Sequence, residues 1–236
     1  MRTTIILCYL WTHQYICVII SNMKLGTGSK RSYRMVARAE GVDETRERIL
    51  QATFDLWLTH PYDDVTLERV AQTAGVSKQT VIRQFGSKDE LAAAVAKWHQ
   101  PREQHERAAA AGDVAGALHR LMDRYELIGD ANVRLLELEH RVPTIRRILQ
   151  AARAGHRDWV EHVFAPFLPT RRGKTRERRV MAFYAATEVM VWKLLRRDFG
   201  LGRAETEAVL RELVEALTRR AGGTTRPERH KADEPR

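Results

Sequence analysis

Residues 66–85, TLERVAQTAGVSKQTVIRQF, admit very few folds. Leu67, Val70, Ala71 and Ala74 fall at i, i+3, i+4 and i+7, the spacing of one face of a short helix. Gly75 follows at once, where a chain leaving a helix often takes a positive φ that glycine adopts cheaply. Val76 can plug the angle between two helices, and Ser77 is a good N-cap for the second. Val81, Ile82 and Phe85 continue the apolar pattern and leave Lys78, Gln79, Thr80, Arg83 and Gln84 facing outward. Two short helices joined by a tight turn, the second polar and basic on its free face, describe a helix-turn-helix. A second helix of this kind fits the major groove of DNA, its N-terminal residues against base edges.

The flanking residues extend the pattern. Asp43 and Glu44 are expected to open a first helix, where acids suit the positive end of the dipole. Ile49, Ala52, Thr53, Leu56 and Trp57 share one face of it, widened by Leu50 and Phe54, and His60-Pro61 stops it. Thr66 caps the second helix and Gly86 ends the third. Ser87-Lys88-Asp89-Glu90 then has the form of a capping box opening a fourth. Leu91, Ala94, Val95 and Trp98 give that helix a buried face, and Pro101 is its expected end.

The order of an ILQATFDLW helix followed by VTLERVAQTAGVSKQTVIRQFGSKDEL resembles the N-terminal DNA-binding domain of tetracycline-repressor (TetR) family transcriptional regulators, over about residues 44–95. The family often places tyrosine, then histidine or tyrosine, just before the final phenylalanine; here Ile82-Arg83-Gln84 stand there. Arg83 can substitute toward phosphate or guanine and Gln84 toward adenine, because their donors and acceptors match those edges. Thr66, Ser77 and Lys88 lie at helix N-termini, where backbone N–H groups and the dipole favour phosphate. Lys78, Gln79 and Thr80 lie in the first turn of the reading helix, nearest to base edges. The blander assignment for each residue alone is a helix cap or a solvated side chain.

The formal net charge of +10 suits a polyanionic partner, but it is unevenly placed. Residues 1–34 carry Arg2, Lys24, Lys30, Arg31 and Arg34, no acid, and both cysteines, Cys8 and Cys17. Beyond them there is no cysteine for a disulfide or a thiolate metal site. Residues 5–20, IILCYLWTHQYICVII, are apolar but short for a spanning helix and polar at their centre. The expectation is a mis-assigned start, with translation from Met35 or Met23; a membrane anchor or a disordered extension are the alternatives.

The rest reads as helix after helix, so the fold class is all-α: an N-terminal three-helix helix-turn-helix domain (residues 35–90), then a helical ligand-binding and dimerisation domain (91–221). Ala117, Leu118, Leu121, Met122, Tyr125 and Ile128 mark one helix, and Asp130 is expected to cap a separate segment ending before Pro143. Ile145, Ile148, Leu149, Ala152, Trp159, Val160 and Val163 mark a longer one, weakened at Gly155. Residues 166–173 are a loop. Residues 177–199 read as a single helix buried on several sides, broken by Gly200-Leu201-Gly202. A last helix carries Val209, Leu210, Leu213, Val214 and Leu217. Paired with the same two helices of a second copy, these last two would form a four-helix bundle, with Val189, Trp192, Leu195, Leu210, Leu213 and Leu217 at the interface. Residues 222–236 are expected to be a disordered tail.

The nine histidines are scattered, Glu139-His140 lacks the second histidine of a zincin motif, and no G-x-S-x-G occurs, so no catalytic or metal site is expected. The TetR resemblance implies a small-molecule pocket in the second domain, with Trp98, Tyr125, His140, Trp159, Phe183 and Trp192 as candidates against a plain core role. It implies a cytoplasmic homodimeric regulator, most simply a repressor, with double-stranded operator DNA and an effector as partners and no cofactor. A membrane-tethered sensor through residues 5–20 and an effector-less DNA-binding dimer are the other readings.

Overall fold

The computed structural model describes residues 29–219, with side chains from residue 43 onward. The chain divides into two compact units, Met1–Gly41 and Val42–Arg236, and the helix-turn-helix belongs to the second with all the helices after it. The apolar run 5–20 and the tail 222–236 lie outside the described residues. Among the described residues there is no strand, and no helix is long and apolar enough to cross a membrane.

The first core is built by α1 (Ser29–Thr59), α2 (Leu67–Ala74), α3 (Lys78–Phe85) and α4 (Lys88–Glu106). Ile49, Leu50, Val65, Val70, Ala71, Val81, Phe85, Leu91 and Val95 are buried together there. Local chemistry sets the boundaries. Thr66 Oγ1 accepts the Arg69 N–H at 3.2 Å, and Ser77 Oγ accepts the Thr80 N–H at 3.1 Å. Ser87 and Glu90 close a full capping box, Glu90 N–H to Ser87 Oγ at 3.2 Å and Ser87 N–H to Glu90 Oε2 at 2.9 Å.

The second core joins α5 (Val114–Leu136), α6 (Pro143–Val163), α7 (Lys174–Ala186), α8 (Val189–Lys193) and α9 (Arg203–Arg219). Leu118, Leu121, Met122, Phe164, Phe183 and Trp192 are among its fully buried members. A third cluster, Tyr62, Ala92, Ile145 and Leu149, joins the start of α4 to the start of α6. The Tyr62 hydroxyl donates to Asp89 at 2.7 Å, Thr144 donates to the other Asp89 oxygen at 3.3 Å, and Arg134 donates to the carbonyls of Trp57 and Leu58 at 3.0 and 2.8 Å.

Four boundaries differ from the sequence expectation. The first helix extends back to Ser29 rather than starting at Asp43; Gly41 in its interior costs only about 1 kcal/mol of propensity. α4 runs through Pro101 to Glu106, held beyond the proline by Arg124, which grips Glu103 at 2.9 and 2.7 Å. Asp130 caps nothing: α5 is continuous through it, and its carboxylate pairs with Arg197 at 2.8 and 2.9 Å. Residues 177–199 are not one helix. Thr187 ends α7 by turning its hydroxyl onto the Phe183 carbonyl at 2.8 Å, and Glu188 restarts the chain by accepting the Met190 N–H at 2.6 Å. After α8 the turn widens to a π segment, Leu194–Asp198, closed by Phe199 N–H to Leu194 O at 2.9 Å. Gly155 does not interrupt α6.

Candidate nucleic-acid interface

The turn between α2 and α3 is a Schellman closure. Gly75 takes φ 65°, its N–H reaches Gln72 O at 3.2 Å, and the Val76 N–H reaches Ala71 O at 3.0 Å. A side chain at φ 65° would be strained, so the glycine sets the angle at which α3 leaves α2. Val81 and Phe85 then bury one side of α3, while Ser77, Lys78, Gln79 and Arg83 are exposed and Thr80 and Gln84 half-buried. Six of the eight expected DNA-contacting residues thus lie on or beside one short helix.

Their present partners differ. Ser77 and Thr80 hydroxyls are 2.9 Å apart within the cap. Lys78 is ion-paired with Glu68, across the turn on α2. Gln79 and Arg83 carry no partner among the described residues. Thr66 caps α2. Lys88 stands apart: its ammonium lies 4.2 Å over the Tyr62 ring and donates to the Tyr62 carbonyl and, at 3.4 Å, to that of Asp63. Burial there lowers its pKa from the ordinary lysine value. Arg46 was missed by the sequence reading. It stacks 4.4 Å over Phe85 and donates to the Gln84 carbonyl at 3.4 Å, placing a cation at the C-terminal end of α3. Nothing in helical periodicity links residue 46 to residue 85.

The expected pocket residues do not converge on one place. Trp98 packs in the first core with Arg102 4.3 Å over its ring, and His140 is exposed in a turn. Tyr125, Trp159, Phe183 and Trp192 belong to the second core, where Phe183 stacks on Phe164 at 4.2 Å and Tyr125 lies 5.9 Å from Trp192. Beside them sits a buried polar relay. Arg107 donates to His156 Nδ1 at 2.6 Å, so the proton lies on Nε2, which faces Thr187 Oγ1 at 3.1 Å. Burial, and then the Arg107 charge, push His156 down to about 3. An open hollow of about 430 Å³ lies outside this relay, lined by Arg153, Ala154, Arg157, Met181, Tyr184 and Glu188.

The expected interface residues also separate. Val189, Trp192 and Leu210 face the protomer's own core and are not available to a partner. Leu195 and Leu217 are half-buried, and Leu213 is exposed. The apolar residues that do reach the surface on α8, the π segment and its end are Met190, Leu194 and Phe199. Among the described residues no group of three or more His, Cys, Asp or Glu can hold a metal ion.

Residues 49–95 match the family model described as bacterial regulatory proteins, tetR family. Over 47 residues, 20% of this chain, the sequence is 45% identical to the HTH-type transcriptional regulator AlkX of Mycobacterium tuberculosis; the match spans 22% of that protein. The fold is similar to a tetR-family transcriptional regulator from Streptomyces coelicolor, with TM-score 0.59, 18% identity, 76% of this chain and 88% of that one. It is also similar to a transcriptional regulator from Rhodococcus sp. Rha1, with TM-score 0.60, 18% identity, 74% of this chain and 96% of that one.

Proposed function

We infer that this chain, which belongs to the TetR family of transcriptional regulators, acts as a cytoplasmic homodimer that binds a near-palindromic operator and represses transcription until a small-molecule effector releases it. The observation that carries the reading is the α2–α3 pair: a glycine-set turn, two side-chain caps and an exposed Ser77-Lys78-Gln79 run ending in Arg83. Gln79 and Thr80 would read base edges, Arg83 and Gln84 would contact phosphate or base, and the caps at Thr66 and Ser77 would present N–H groups to phosphates. Exposed Met190, Leu194, Phe199 and Leu213 favour burial against a second copy, which also sets two reading helices at a fixed spacing. An effector works by binding one spacing of those helices better than the other. No cofactor and no catalytic residue enter this reading.

The close packing of Phe183, Trp192 and Tyr125 favours a second reading, an effector-less dimer whose second domain is structural. Fluorescence anisotropy with DNA from upstream of the protein's own gene, against scrambled DNA at equal salt, tests the first. Specific binding with two protomers per site is expected, and no binding even at low salt would overturn it. A ligand screen by thermal shift separates the two: a hit that also changes DNA affinity excludes the effector-less dimer.

A further inference from the structure

The helix-turn-helix residues 67–85 contain one acid, Glu68, and the structure places it on the one cation in the first turn of the reading helix. Glu68 lies in the first turn of α2 and Lys78 in the first turn of α3, so their ion pair spans the two helix N-termini. Both side chains are at least half open to solvent, 59% for Glu68 and 50% for Lys78, and therefore open to a docking duplex. The neighbouring cations are also engaged: Arg69 donates to His60 Nε2 at 2.6 Å, and Lys88 is turned onto Tyr62. Arg83 is the cation of this face without a partner among the described residues. The free reading surface is thus mostly uncharged and polar, in a chain of formal charge +10.

Sequence-independent DNA binding is driven by cations that displace counterions from phosphates. A cation already neutralised by the protein contributes little to that attraction until its acid releases it. We propose that Glu68 sets the strength of sequence-independent DNA binding by holding Lys78 on α2, so that affinity rests on the base-reading residues of α3 rather than on charge. The proposal rests on the DNA-binding reading of α3. The hydrogen bond from Lys78 also keeps the Glu68 carboxyl below the ordinary glutamate range.

The test is anisotropy of the full-length protein on a fluorescein-labelled duplex of scrambled sequence across a salt series, for wild type, Glu68→Gln, Lys78→Gln and the double variant. Circular dichroism checks that each remains folded. Glu68→Gln is expected to tighten binding about two- to fivefold at low salt, the range set by releasing an exposed ion pair. It should steepen the log–log salt slope by about 0.9, one added phosphate contact. In the Lys78→Gln background that gain should vanish. An equal gain in both backgrounds would show plain repulsion between Glu68 and DNA and overturn the proposal. Weaker binding by Glu68→Gln would show that Glu68 aims Lys78 at the duplex, and would overturn it too. If wild type and every variant are equally inert at low salt, the DNA-binding reading itself fails, and this proposal with it.

Discussion

Two glycines inside helices should respond unequally to the same substitution. Gly155 lies exposed within α6, and a Cβ added there meets nothing within 4 Å. Gly155→Ala should therefore stabilise the fold by about 0.5–1 kcal/mol, through helix propensity and a less flexible unfolded chain. Gly129 lies buried within α5, where an added Cβ would stand 2.5, 2.6 and 2.9 Å from Cζ3, Cη2 and Cε3 of Trp192. That ring cannot swing aside. It is fully buried, its Nε1 donates to Glu126 at 3.1 Å, and the Arg197 guanidinium covers its face at 4.6 Å. Forcing a methyl into such packing costs about 1–3 kcal/mol, which offsets or exceeds the propensity gain. The propensity contribution is shared, so the difference between the two variants isolates the clash, and Gly129→Ala should be less stable than Gly155→Ala by about 1–3 kcal/mol. Urea unfolding followed by circular dichroism measures both. In a Trp192→Phe background the gap should narrow, since the smaller ring frees the space. Equal stabilisation by both substitutions would refute the close approach of α5 and α8.

His156 makes a pH prediction. Its folded pKa, pushed down to about 3, lies below the ordinary value of about 6.5, so the unfolded chain binds the extra proton between the two. Stability is full above about pH 6.5 and falls as pH drops toward 3, by up to about 1.4 kcal/mol per unit for this one group. His99, also pushed down by burial, acts in the same direction, so His156→Gln should flatten but not abolish the slope; an unchanged slope would refute the buried relay. Arg124, buried against Glu103 and Glu106, should cost about 1–3 kcal/mol when changed to Met, read by urea unfolding, because the two carboxylates lose the guanidinium they share at the α4–α5 seam and Glu103 keeps only Arg107 Nε at 3.8 Å. Lys88→Ala should cost about 1 kcal/mol of stability and leave the salt slope of DNA binding unchanged, because its ammonium is held on Tyr62. A slope lower by about 0.9 would instead return Lys88 to a phosphate. Gln79→Ala should relax discrimination at one base pair by about 1–3 kcal/mol in a panel of single-base operator variants, and a uniform loss across the panel would refute base reading.

The features legible from sequence alone are local ones. The caps at Thr66, Ser77 and Ser87, the positive φ of Gly75, and the apolar faces of α2 and α3 depend on neighbours within four or five residues. Such contacts are nearly the same in any chain with that spacing, so the all-α class and the reading helix were both legible. Side chains with several possible partners took theirs only in the folded molecule. Lys88 has a helix N-terminus for phosphate in sequence but an aromatic ring and two carbonyls in space. Pro101 stops a helix locally, yet the grip of Arg124 on Glu103 carries α4 past it. Trp192 reads as equally suited to pocket, interface or core, because periodicity fixes only that its face is apolar. In the folded chain it packs inward against the bare Cα of Gly129, while Met190 and Leu194 stay outside. Which apolar face meets which surface depends on helix ends and close approaches summed over distant residues, and those sums exist only once the chain is folded.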